Sequence, residues 1–157
     1  MGWKFVLGLA LVLGASACVA PPSPAERLTD AARELNMAAR FGRMDVAMGR
    51  ASKTSRDVFL QRRASWGRDL RVLEIELAGL SMRDSHHAVV SVDVQWMRVN
   101  ESSLRVTRLA QVWSDEDGSW QLQRERRMAG DLGLFGEQVE VLAPERRDAH
   151  FETITIR

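Results

Sequence analysis

The sequence contains no tyrosine, a single cysteine and only four prolines, three of them within Pro21–Pro24. Without a phenol, chemistry that depends on a tyrosine hydroxyl is excluded. With one thiol the chain cannot close an internal disulfide, so its stability must come from packing. It also lacks a long apolar run. The stretch from Phe5 to Ala17 is thirteen residues, well short of the about 20 that carry a helix across a bilayer. A dominant charge is missing too: 22 basic residues stand against 21 acidic ones, a formal net charge of +1, which argues against nucleic acid and other strongly electrostatic partners. There is no internal repeat, and no low-complexity segment beyond the prolines.

What is present begins with an address. Lys4 followed by the small and apolar run Phe5–Ala17 has the layout of an export signal. Ala15-Ser16-Ala17 meets the small-residue rule for cleavage and runs directly into Cys18, so that Leu13–Cys18 resembles the bacterial lipobox. The resemblance implies that the Cys18 thiol receives diacylglycerol, that the chain is cut before it, and that the new amino terminus is acylated, palmitate being one such chain. Several acyl chains, at about 0.8 kcal/mol per buried CH₂, hold a protein on a membrane where one chain is marginal. Val19–Pro24 then reads as an extended tether reaching about 15–20 Å at about 3.1 Å per residue. The lipobox resemblance implies a lipid-anchored, periplasm-facing envelope protein, and the absence of aspartate after Cys18 favours the outer membrane. The expected division is residues 1–17 signal peptide, 18–23 lipidated cysteine and tether, and 24–157 a single domain whose tail, 129–157, is less regular. The mature chain of 157 − 17 = 140 residues, drawn from a sequence that is 45% hydrophobic and 27% charged, suits one globular unit.

Ser23-Pro24-Ala25-Glu26 combines a capping box with proline at the first helical position. Behind it Leu28, Ala31, Ala32, Leu35, Ala38 and Ala39 form one apolar stripe up to about Arg40. Gly42 ends that helix. Asp45 is expected to cap a short second helix through Arg50, and Thr54 or Ser55 a third running to Trp66. From Asp69 the period changes from 3.6 to 2, with Leu73, Ile75 and Leu77 alternating with Glu74 and Glu76, and Val90, Val92, Val94 and Trp96 alternating with Ser91, Asp93 and Gln95. Short polar connections, the last carrying an Asp-Gly hairpin signal at Asp117-Gly118, separate four antiparallel strands near 70–82, 88–99, 104–114 and 119–128. Short strands are also expected at Val139–Leu142 and Phe151–Ile156. Helices followed by a long meander give an α+β fold, N-terminal helices on a curved antiparallel sheet of four to six strands. With Ala38–Asp45 joining two helices and Trp113–Leu122 forming a hairpin, residues 24–128 resemble the nuclear transport factor two-like superfamily, the cystatin-like cones.

That resemblance implies a pocket between helices and sheet, used by ketosteroid isomerases and polyketide cyclases with an aspartate base and tyrosine, histidine or protonated carboxyl donors. The missing tyrosine removes the phenolic oxyanion hole. Asp93 is the one mid-strand base candidate, but the alternation places it opposite the apolar face, where water would keep it an ordinary carboxylate. The expected lining of the cone is Leu73, Ile75, Leu77, Val92, Val94 and Trp96. Glu74 and Glu76, about 7 Å apart on one face, are expected to meet Arg105 or Arg108 on a neighbouring strand. His86 and His87 are adjacent and His150 remote, so no metal centre is expected, and no cofactor. Gly130, Gly133 and Gly136 lack the lysine of a phosphate loop and read as a flexible exit from the sheet. Gln123-Arg124-Glu125-Arg126-Arg127 reads as a solvated charge run, or one that meets lipid phosphates. Trp66, Trp96, Trp113 and Trp120 read as core, with one or two lining a pocket. The resulting expectation is a non-catalytic envelope module that binds an apolar ligand or a protein partner. An anchored isomerase- or cyclase-like enzyme and a spacer with a filled core are the alternatives, separated by what the cone interior holds.

Overall fold

The computed structural model describes residues 21–138. Cys18, the first tether residues and the strands expected at 139–142 and 151–156 lie outside the described residues. Three helices, α1 (Pro24–Arg40), α2 (Met44–Gly49) and α3 (Arg56–Arg62), precede four strands, β1 (Leu70–Met82), β2 (His87–Arg98), β3 (Arg105–Glu116) and β4 (Ser119–Gly130). The strands form one antiparallel sheet in the order β1-β2-β3-β4. The architecture is α+β with the helices on one face of the sheet. No helix among the described residues is long and apolar enough to cross a membrane.

α1 starts where its capping signals place it. The Ser23 hydroxyl accepts from the Glu26 amide at 3.2 Å, and the Ser23 amide donates to the Glu26 carboxylate at 2.7 Å. Its apolar stripe is buried against the sheet, and Asn36 is buried with it. Arg27 ties the first turn to the β3–β4 hairpin, donating to the Gly118 carbonyl at 3.1 Å and to Asp115 at 3.3 Å. The short helices depart from expectation at their ends. α2 is preceded by Arg43 rather than capped by Asp45, with no side-chain cap. Ser55 does precede α3, but its hydroxyl donates to the Leu122 carbonyl at 2.8 Å and joins the helix pair to β4 instead of capping. α3 stops at Arg62 and not at Trp66, because Arg63–Trp66 tighten into i→i+3 turns that aim Arg63 inward.

Register decides which side chains face the helices. β2 and β3 pair without interruption, so Val90, Val92, Val94 and Trp96 share the inner face with Gln111, Leu109 and Thr107. β1 shifts between Val72 and Glu74 and again between Leu77 and Gly79, and β4 shifts between Leu122 and Arg124 and again near Met128. Each β-bulge reverses the alternation downstream of it.

Candidate functional site in the cone interior

The inner face of the sheet is filled by the chain's own large side chains. Trp96, Trp113 and Trp120 are buried, as are Leu28 and Leu35 from α1, Phe59 from α3, and Leu134 from the loop after β4. Trp96 donates its indole N–H to the Thr107 hydroxyl at 2.9 Å, and that hydroxyl donates to the Asp131 carbonyl at 2.7 Å.

Within this apolar layer lies a polar network that the sequence did not announce. The bulge at Gln123 turns Glu125 to the inner face, opposite Gln111. The side chains of Arg63 and Glu125 are 1% and 3% exposed, and they form a two-pronged ion pair: Nη1 donates to Oε1, and Nη2 to Oε2 at 2.9 Å. Gln111 Nε2 reaches Glu125 Oε2 at 3.4 Å, while Gln111 and Asn36 exchange amide hydrogen bonds at 2.9 and 3.0 Å. The guanidinium of Arg63 lies 3.7 Å from the Phe59 ring centre and 4.8 Å from that of Trp66, a geometry that favours a cation over a π face. Arg63 Nε has no partner among the described residues. A cavity of about 120 Å³ borders Glu125, lined also by Ser55, Phe59, Arg62 and Leu122.

A second buried carboxylate, Asp115, sits at the other end of the inner face with its side chain 3% exposed and Arg27 on one oxygen. Its Oδ1 and the indole nitrogens of Trp113 and Trp120 have no partner among the described residues.

The residues expected at the site are distributed differently. Asp93 is on the outer face, held by both arms of Arg108 at 2.6 Å. That pairing, chiefly the hydrogen bonds from Arg108, keeps its carboxyl below the usual range, the reverse of what a general base requires. Val92, Val94 and Trp96 are in the closed core, and Ile75 and Leu77 pack against it. Leu73 sits at the first β1 bulge, and Val72 takes the place opposite Trp96. Glu74 and Glu76 do not meet Arg105 or Arg108, because β2 separates β1 from β3. Glu76 instead lies opposite Asp93, and Arg105 pairs with Glu101 at 2.7 Å. His86, in the β1–β2 turn, and His87, at the start of β2, are exposed, and Asp84 accepts from both backbone amides and contacts the His87 ring at 3.0 Å. His150 lies outside the described residues.

The glycine segment after β4 is pinned and not a loose exit. The Val106 amide donates to the Asp131 carboxylate at 2.8 Å, Trp66 donates to the Leu134 carbonyl at 3.0 Å, and Glu137 accepts from the Gly133 and Phe135 amides at 3.0 and 2.9 Å. A cleft of about 770 Å³ opens beside it, between Ser65, Asp69, Leu70 and Arg98, away from the cone interior.

No protein-family model and no curated protein matches the chain. Solved structures do. A SEC-C motif containing protein from Rhodopseudomonas palustris superposes with a TM-score of 0.55 at 16% identity, covering 69% of this chain and 83% of that one. The intermembrane space region of chloroplast protein ARC6 gives 0.51 at 11% identity, covering 69% and 99%. An NTF2-like protein from Cytophaga hutchinsonii gives 0.50 at 14% identity, covering 65% and 94%. At these identities the likeness speaks to the fold alone, and the fold of this chain is the NTF2-like one of three helices packed on a four-stranded antiparallel sheet.

Proposed function

We propose that the protein is a membrane-anchored envelope lipoprotein, lipidated at Cys18, whose NTF2-like domain is a non-catalytic module for a protein partner. The observation that carries the second half is the closed cone. Three tryptophans fill the inner face, and Arg63, Glu125, Gln111 and Asn36 bond one another beside them, so that, although Arg63 Nε, Asp115 Oδ1 and the indole nitrogens of Trp113 and Trp120 stay unpartnered among the described residues, the domain offers a partner its surface and offers a small molecule little interior. Glu125 is buried with donors nearby, which is the feature the enzyme alternative needs. Both of its oxygens are taken by Arg63, however, and a carboxylate so held must break two charge-assisted hydrogen bonds before it accepts a proton. The apolar-ligand branch is weakened by the same packing. The anchor rests on the sequence from Leu13 to Cys18.

Two measurements test the reading. Intact-mass analysis of the membrane fraction is expected to find Cys18 as an acylated amino terminus, and an unmodified cysteine or a protein absent from membranes overturns the anchor. Titration with laurate is expected to leave tryptophan emission unchanged. Saturable quenching would mean an open cone, and the ligand-binding reading would replace the partner one.

A further inference from the structure

We propose that the second half of β4, Arg126–Gly130, is a docking edge for an extended acidic segment of a partner protein, an inference that rests on the interaction reading above. β4 ends the sheet order, so one of its rims faces no strand. The first half of that rim is closed from within. The Ser52 amide donates to the Leu122 carbonyl at 2.9 Å, the Leu122 amide to the Arg50 carbonyl at 2.7 Å, and Arg62 to the Glu125 carbonyl. Beyond Glu125 the closure stops. Arg126, Arg127, Met128, Ala129 and Gly130 are all exposed, and among the described residues no other element makes a backbone hydrogen bond to the outer rim of Arg126–Ala129.

Charge selects the occupant. Arg124 and Arg126 stand on the outer face, opposite Val112 and Ala110, whereas the exposed Arg127 stands opposite Leu109 on the other side of the strand and donates to the Gly130 carbonyl at 3.1 Å. None of the three is within ion-pair distance of a carboxylate among the described residues, whereas Arg108 one strand away is fully engaged by Asp93. Two uncompensated guanidinium groups on one face of β4, with the exposed Arg127 on the other side of the strand, favour carboxylates, which they can grip bidentately. Apolar anchors lie at the same corner: Leu104, Val106, Met128 and Leu132 are exposed, and the Asp131 amide donates to the Val106 carbonyl at 2.9 Å. Arginine and methionine beside exposed aliphatic groups match the composition of protein interfaces. An added strand would pair its backbone with the rim and alternate carboxylates with apolar side chains. The opposite edge, β1, is acidic at Glu74 and Glu76 and would repel such a strand; β4 itself carries a bulge at Met128, so the added strand would pair on either side of that residue. A lipid surface could meet the arginines but has no backbone groups to offer the rim.

The full chain in detergent is titrated with a peptide alternating glutamate and valine and, separately, with its lysine–valine counterpart, while amide hydrogen exchange is followed. The acidic peptide is expected to slow exchange in Arg126–Gly130 and not along β1. The basic peptide is expected to do neither. R124E/R126E is expected to weaken the acidic peptide by tenfold or more, about 1.4 kcal/mol, with an unchanged melting temperature. Protection by neither peptide means that the arginines only shield an edge from aggregation, and equal protection by both means that charge is not read. Protection by phosphatidylglycerol vesicles alone assigns the patch to lipid, and protection already present in the free chain means that residues 139–157 or a second copy occupy it. Each of these overturns the inference. A partner crosslinked in cells at another surface, with this rim silent, overturns it too but leaves the interaction reading standing.

Discussion

Arg63 and Glu125 are the residues on which the interior turns, because two charges out of water are tolerated only while each satisfies the other. Removing one partner strands the second, which typically costs about 3–5 kcal/mol, whereas replacing both by apolar residues of similar volume is often neutral or stabilising. Arg63→Ala and Glu125→Gln are each expected to lower the urea midpoint sharply, and Arg63→Met with Glu125→Leu to restore most of the loss, since Asn36 and Gln111 still bond each other. If the double variant is as unstable as the singles, the pair is not a self-contained core feature and has a further ligand. Asp93 is the contrasting case on the outer face. Arg108 lowers its folded pKa below the unfolded value of about 3.9. The pair therefore contributes stability that is fully present above about pH 4 and is lost as pH falls through the lower folded value. Asp93→Asn is expected to flatten the acid limb of a stability–pH profile between those two values and to change little at pH 7. Glu101, lowered in the same direction by Arg105, keeps part of the slope. An unaltered acid limb in the variant would mean that the Asp93–Arg108 contact is not maintained in solution.

At the scale of elements, the return after β4 depends on a glycine with no room for a side chain. Gly130 has φ +84°, and a Cβ there would fall 2.2 Å from the Val106 carbonyl oxygen. Gly42, after α1, has φ +72° but open space around it. Gly42→Ala is thus expected to cost only the left-handed conformation, about 1–2 kcal/mol. Gly130→Ala should cost clearly more, because the backbone of β3 must also shift, and it should release Leu134 from the core. Comparable melting temperatures for the two variants would contradict this. The elements themselves were largely legible. The capping box at Ser23 and the alternation from Leu73 and from Val90 place α1 and the strands close to their observed bounds, since both signals are local. Faces were less so. Uninterrupted alternation puts Glu125 on the outside and Leu73 opposite Trp96, and bulges at Gln123 and Leu73 undo both. A bulge is set by how two strands fit together, which neither strand's own sequence records. Asp93 lies on β2, whose register with β3 is unbroken, and there the simple pattern suffices. Asn36 and Gln111 were missed for a related reason: an amide between apolar neighbours has no pattern until its partner 75 positions away is known.

For the whole molecule, the position of α1 would make the anchor proposed at Cys18 directional. The first turn is bound to the β3–β4 hairpin through Arg27. The tether therefore meets the domain at that pole. α1 then runs 17 residues, about 25 Å at about 1.5 Å per residue, toward the pole that holds the β2–β3 turn and the end of β4. On the lipoprotein reading proposed above, a tether of about 15–20 Å would keep the hairpin pole near the bilayer and leave Arg126–Gly130 on the side away from it, where an extended partner could reach them. Single cysteines introduced at Asp117 and at Ser102 test this arrangement, since on the proposed reading Cys18 is acylated and does not react with the dye. With an acceptor at the lipid surface, energy transfer is expected to be clearly stronger from position 117 than from position 102. Cys18→Ser is expected to abolish transfer from both by releasing the protein from the membrane. Equal transfer from the two positions in the anchored protein would mean that the domain lies along the bilayer, which would place the arginines of β4 against lipid instead of a protein partner.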